Sequence, residues 1–343
     1  MTRVAGLARP ALAFACAAVA GCMAFHPGPL PNEPKAATFA SVEGARVRFV
    51  DVGSGPPVVL VHGFASSLNA WDPVIPALAK EHRVLALDLK GFGWTDRPEG
   101  EYSPAAQAKL VLALLDQRGI ARADFVGHSW GSSVVLAAAL AAPERIERIA
   151  LYDAFVYEEQ LPLFFTMARA SGVGEALFGM FYTERPDERL TLAFYDPNVV
   201  TEPFAEHVDE MVSRPGTTAA ALAAVRGLRY ADVEGRYRGI DKPTLLLWGR
   251  EDVVTPVAIG ERLVRDLPHA RLVVYPRCGH FPMIEARSAS TTELVTFLAP
   301  AAPATAASVS SPAAPPAPAA SAPAPSASSS AGPELPPMEK APW

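Results

Sequence analysis

Seven short runs rich in Val, Leu, Ile and aromatic residues recur between residues 45 and 276: ARVRFVDVG, PPVVLVHGF, HRVLALDL, ADFVGHS, RIALYDA, TLLLWG and RLVVYP. Most are apolar at nearly every position, the pattern of strands buried on both faces. Helical patterns separate most of them. After HRVLALDL, for instance, Ser103 stands as an N-cap, Pro104 opens the first turn, and Leu110, Val111, Leu114 and Leu115 fall on one face ahead of Gly119. Strands alternating with helices predict an α/β layer fold, a mostly parallel sheet covered on both sides and joined by right-handed crossovers. Residues 155–240 break the alternation with helix-like patterns and no strand-like run. Such an insertion is expected to form a cap over the C-terminal ends of the strands, where open α/β sheets bind ligands.

This domain spans residues 38–299, and both flanks differ from it in composition. Residues 1–21 carry Arg3 and Arg9, then the apolar stretch ALAFACAAVA, then small residues, which is the make-up of a secretory signal peptide too short to span a bilayer. Val19-Ala20-Gly21-Cys22 resembles the bacterial lipobox, which implies cleavage before Cys22 and lipidation of that cysteine. Met23 stands where an aspartate would signal retention, so an exported lipoprotein anchored to the outer membrane is expected. Residues 22–37, with HPGPLPNEPK, form a linker. The Pro/Ala/Ser-rich tail 300–343 has too little apolar bulk to offset its ordering entropy and is expected to be disordered. Only Cys278 remains inside the domain, so no internal disulfide forms. The net charge of -6, with no basic run outside the signal, excludes nucleic acid as an expected partner.

The chemistry centres on Gly127-His128-Ser129-Trp130-Gly131, a G-x-S-x-G pentapeptide after a strand and before a helix. A neutral serine hydroxyl is a poor nucleophile, so it needs a base and a group that orients the base. His280, in Arg277-Cys278-Gly279-His280-Phe281-Pro282, follows the last strand-like run; Asp252 follows TLLLWG. The order Ser129, Asp252, His280 suits a nucleophile, an orienting acid and a base on loops at one end of a sheet. Glu251 and Asp153, the latter just after RIALY, compete for the role of the acid. The backbone N–H groups of Phe64, in Val61-His62-Gly63-Phe64, and of Trp130 are the expected oxyanion donors. His62 reads as a turn residue. The seven histidines show no metal-ligand spacing, and neither a metal nor an organic cofactor is expected.

With these residues in place the sequence resembles the capped α/β-hydrolases over nearly all of residues 40–299. The resemblance extends to Asp88-Leu89-Lys90-Gly91-Phe92-Gly93-Trp94-Thr95-Asp96-Arg97-Pro98, where Lys90 and Thr95 depart from the family run, and to Gly279-His280-Phe281-Pro282 with Glu285. It implies the α/β-hydrolase fold with a helical cap. Related dehalogenases and epoxide hydrolases use an aspartate nucleophile, whereas position 129 is serine. Attack on a carbonyl is therefore expected: a serine esterase acting through an acyl-enzyme on a small to medium apolar substrate. Of the apolar cap residues Leu161, Leu163, Phe164, Phe165, Met167, Leu177, Phe178, Met180, Phe181 and Tyr182, most are expected to pack the cap onto the main domain and some to face the site. The same triad also serves acyltransferases, perhydrolases and C–C bond hydrolases, and the fold also serves non-catalytic ligand-binding proteins.

Overall fold

All seven predicted runs are strands in the computed structural model, which describes residues 23–184 and 186–299. They are β2 (Ala45–Val52), β3 (Pro57–Val61), β4 (Arg83–Leu87), β5 (Ala123–His128), β6 (Ile146–Tyr152), β7 (Thr244–Gly249) and β8 (Ala270–Tyr275). An eighth, β1 (Thr38–Val42), escaped the sequence reading because its edge position leaves it half exposed and without a clear apolar signature. It joins β2 through Glu43 and Gly44, both with positive φ (48° and 76°), the two-residue turn that matches the twist of a hairpin. The sheet order is β1-β2-β4-β3-β5-β6-β7-β8. β2 runs antiparallel to β1 and β4, and every later pairing is parallel.

Both faces of the sheet are covered, and the alternation of side chains along the strands shows it. Val59 and Val61 of β3 point into one core, while Val58 and Leu60 point into the other; Leu246 and Trp248 of β7 divide from Leu245 and Leu247 in the same way. The first core holds α2 (Pro104–Gln117), α3 (Trp130–Ala141) and the buried residues Ile259 and Leu263 of α9 (Val257–Asp266). The second holds α1 (Ile75–Leu78), α10 (Pro282–Glu285) and α11 (Arg287–Leu298). Strands dry on both faces explain why the runs read as continuous rather than alternating apolar segments.

Between β6 and β7 the chain forms the helical cap: α4 (Leu163–Ala168), α5 (Val173–Phe181), α6 (Pro186–Ala193), α7 (Glu202–Ser213) and α8 (Thr217–Arg226). The alanine-rich α8 packs against α4, α5 and α7. Arg97, fully buried, links main domain to cap, donating to Thr217 Oγ1 at 2.9 Å and to the carbonyls of Thr95 and Gly93 at 2.6 and 2.8 Å. Burial and the nearby Arg214 charge lower its guanidinium to about 10. The segment entering at Met23 is pinned to the same place: His26 and Arg97 exchange backbone hydrogen bonds of 2.9 and 3.1 Å. Among the described residues, no helix is long and apolar enough to cross a membrane. Cys22, the signal segment and the tail 300–343 lie outside the described residues.

Candidate active site

Ser129 sits at the turn from β5 into α3 with φ 51° and ψ -122°, a conformation that L side chains rarely adopt. The flanking backbone holds it there: Ser129 N–H donates to Tyr152 O at 2.9 Å, and its carbonyl accepts from Phe155 N–H at 3.1 Å. The glycines are obligatory for packing. A Cβ on Gly131 would stand 2.4 Å from the carbonyl oxygens of Val61 and His62, and one on Gly127 would stand 2.9 Å from the backbone of Gly131 and Ser132. On the facing loop Gly63 approaches so closely that a Cβ would lie 3.2 Å from Ser129 Cβ. Residues 63–64 are thereby brought beside the serine.

The two expected donors belong to the helix that follows this turn and to the loop that faces it. Trp130 is the first residue of α3, where backbone N–H groups have no partner within the helix and the dipole favours negative charge. Phe64 follows β3, and its ring lies edge-on to Trp130 at 6.1 Å. His62 is a turn residue: its Nδ1 pairs with Gly63 O at 2.7 Å and its Nε2 accepts from Leu89 N–H at 2.9 Å. That second bond requires a neutral ring, and burial lowers its affinity for a proton.

His280 and Asp252 form a buried pair, with Nδ1 2.8 Å from Oδ2. The ring then presents Nε2 on its opposite edge. The Asp252 carboxylate is saturated: Oδ1 accepts from the N–H groups of Val254 and Thr255 at 2.7 and 3.0 Å, and Oδ2 accepts from Thr255 Oγ1 at 2.5 Å. Burial pushes this carboxyl up, but the charge of His280 and the bonds from His280 and Thr255 outweigh it and hold it at about 2. The competing Glu251 points elsewhere, accepting from Cys278 N–H at 3.0 Å. Asp153 is closer. One ligand atom each from Asp153, Asp252 and His280 lie within 4.8 Å of one another, but Asp153 Oδ1 accepts from Gly249 N–H at 2.9 Å. Burial and the Asp252 charge raise the Asp153 carboxyl well above the carboxylate range. Asp252 is thus the partner of the imidazole, and Asp153 lies behind it with its affinity for a proton raised.

Several supports had no role assigned to them from the sequence. His128, the variable second residue of the pentapeptide, binds the backbone carbonyl of His280 through Nε2 at 2.8 Å. Burial and the His280 charge lower it to about 3, so it is neutral and donates. Ala193 O, at the end of α6, accepts from His280 N–H at 2.7 Å, so the cap itself holds the histidine loop. Glu285 ties the two together, accepting from the N–H groups of Tyr195, Asp196 and Gly279. Thr95, a departure within the 88–98 run, keeps a useful hydroxyl: it donates to Asp88 O at 2.7 Å and accepts from Arg48 N–H at 2.9 Å.

Above His280 and Phe64 opens a cavity of about 570 Å³, roofed by Phe164, Phe165 and Tyr182 and walled by Met211, Val212 and Phe281. Among the described residues lining it, none is Lys, Arg, Asp or Glu; the polar groups are Ser66, Ser67, Tyr182, His207 and His280.

The profile of the α/β-hydrolase fold matches residues 56–287. The chain belongs to that family. Among curated relatives, a 2-hydroxy-6-oxo-2,4-heptadienoate hydrolase of Pseudomonas putida (strain F1) is 32% identical over 268 residues, covering 75% of this chain and 94% of its own. Among solved structures, the meta-cleavage product hydrolase CumD of Pseudomonas fluorescens IP01 is 29% identical with a TM-score of 0.65, over 76% of this chain and 96% of its own. An enol-lactonase of Burkholderia xenovorans LB400 is 28% identical with a TM-score of 0.64, over 76% and 99%. The hydrolase family thus includes neighbours named for meta-cleavage products and for an enol-lactone.

Proposed function

We propose that this hydrolase cleaves an uncharged ester or lactone with a small to medium apolar acyl group, through an acyl-enzyme on Ser129. One arrangement carries the reading: a serine on the strained strand-to-helix turn, a buried His280–Asp252 pair at 2.8 Å, and an apolar cavity reaching His280 and Phe64. In this mechanism His280 Nε2 takes the Ser129 Oγ proton as Oγ attacks the carbonyl carbon, and the oxyanion is received by Phe64 and Trp130 N–H. Collapse breaks the bond to the leaving alkoxide, which takes the proton from His280. Water, deprotonated by the same histidine, then attacks the acyl carbon; the bond to Ser129 Oγ breaks, Oγ takes the proton back from His280, and the acid leaves. Asp252 orients the imidazole throughout and stabilises its charged form.

Cleavage of a C–C bond in a dienoate ketone is the second reading, and the names of the relatives favour it. The cavity speaks for the ester: a dienoate brings a carboxylate, and the described lining offers it neither Lys nor Arg. Turnover of p-nitrophenyl acetate and butyrate, labelling by a fluorophosphonate, and their loss in Ser129→Ala test the proposal. Cleavage of the dienoate ketone at rates above those esters would overturn the ester reading and leave the nucleophile standing. A folded protein that neither turns over nor labels would make the chain a binding protein.

A further inference from the structure

The roof of the cavity has two apolar faces. α4 and α5 pack on each other and turn Phe164 and Phe165, with the adjacent Tyr182, toward the cavity, while Phe178 is buried against the rings of all three. On the outside Leu163 (73% exposed) and Met167 (47%) are spaced i, i+4, and Val173 (41%) and Met180 (53%) are spaced i, i+7. Each pair falls on one helix face. Phe181, Leu192 and Tyr195 extend the exposed apolar set over the cap. A surface helix ordinarily turns charge outward. Here the only charged residues from 163 to 183 are Arg169 and Glu175, and both are engaged, Arg169 with Glu158 at 2.6 Å and Glu175 with Arg226 at 2.7 Å.

The chain enters the described structure beside this roof. Met23 lies in the seam between main domain and cap with Glu175 of α5 and Leu222 and Arg226 of α8, and Phe25 stacks on Tyr102 at 5.9 Å. Cys22, the cysteine of the lipobox-like Val19-Ala20-Gly21-Cys22, immediately precedes Met23 in the sequence. An acyl anchor on Cys22 would join the chain next to Met23.

We propose that the outer face of α4 and α5 is a docking surface for a phospholipid bilayer, against which the Cys22 anchor holds the cap. The proposal rests on acylation of Cys22 and gives the hydrolase reading a use: an apolar ester leaves the acyl-chain region directly under the roof. Acyl chains and an apolar helix face act together in such binding, since a single chain is only marginally sufficient.

The test uses the full chain, matured in a bacterial host and reconstituted into phosphatidylcholine vesicles with brominated acyl chains. Tryptophan is placed at Met167→Trp on the roof and at Lys80→Trp, an exposed site ahead of β4 at the opposite end of the sheet. The bilayer orientation predicts that bromine quenches the added emission of Met167→Trp at least about twofold while sparing Lys80→Trp, the wild-type signal subtracted. Equal quenching of the two, no quenching of either, or a chain that stays off the vesicles overturns it. So does burial of position 167 in a dimer without lipid. Turnover of p-nitrophenyl acetate, measured on the same samples, reads the hydrolase proposal separately, since neither substitution touches the cavity lining or the triad.

Discussion

The floor and the roof of the cavity are built on opposite rules. On the floor, Ser129 stands where almost no other backbone would fit: a positive φ, two glycines that admit no Cβ, and a histidine loop fixed by His128, Ala193 and Glu285. On the roof, Phe164, Phe165 and Tyr182 contribute volume and aromatic surface. The floor should therefore respond to substitution all or none, and the roof by degrees.

The sharpest test is Ser129→Ala, expected to lower kcat by about 10⁶-fold with an unchanged circular dichroism spectrum. Asp252→Asn leaves the geometry but disturbs the imidazole tautomer, and a loss of about 10⁴-fold is expected in kcat with KM little changed. If Asp252→Asn kept near-wild-type turnover while Asp153→Asn lost it, the roles of the two acids would be exchanged. Gly131→Ala presses a methyl onto two carbonyl oxygens and should cost about 3 kcal/mol or more of stability, read as a fall in the urea midpoint. On the roof, Phe165→Ala should leave short-ester turnover within about tenfold and shift preference toward longer or branched acyl groups, an effect of about 1–3 kcal/mol. A collapse of activity with every ester in that variant would break the contrast between floor and roof.

The two acids give the smallest and most diagnostic effect, because their shifts oppose each other. Asp252, held at about 2, contributes stability that is present above the pKa of the unfolded carboxyl, about 4, and is lost as pH falls through its folded value. Asp153 is raised, so the folded state keeps a proton that the unfolded chain releases; stability is lost as pH rises from about 4 toward its folded pKa. Asp153→Asn removes that cost. Its Tm advantage over wild type should grow between pH 4 and pH 7, and a difference that stayed flat with pH would mean that Asp153 ionises in the fold.

Much of this was legible before any coordinates. The seven strands announced themselves because a sheet dry on both faces leaves continuous apolar runs, and β1 did not because an edge strand need not be apolar. Ser129, Asp252 and His280 were readable as a set because each follows a strand-like run, and parallel strands carry their following loops to one end of the sheet. Local chemistry also marked the turn, since only glycine fits at 127 and 131.

What the sequence left open depended on distances across the fold. Two acids were candidates until their surroundings distinguished them: Thr255 and two N–H groups stabilise the charge on Asp252, while burial beside that charge raises the affinity of Asp153 for a proton. The grip of Ala193 O on His280 uses a backbone carbonyl, a group that every residue possesses and that therefore leaves no trace in residue identity. Likewise, the cap residues were apolar in sequence, but only the tertiary structure divided them into those facing the cavity and those facing outward. Local patterns determine which segments are strands, helices and strained turns, because those choices are made within a few residues. Protonation, pairing and the facing of a roof are made by neighbours far along the chain, and folding alone brings them together.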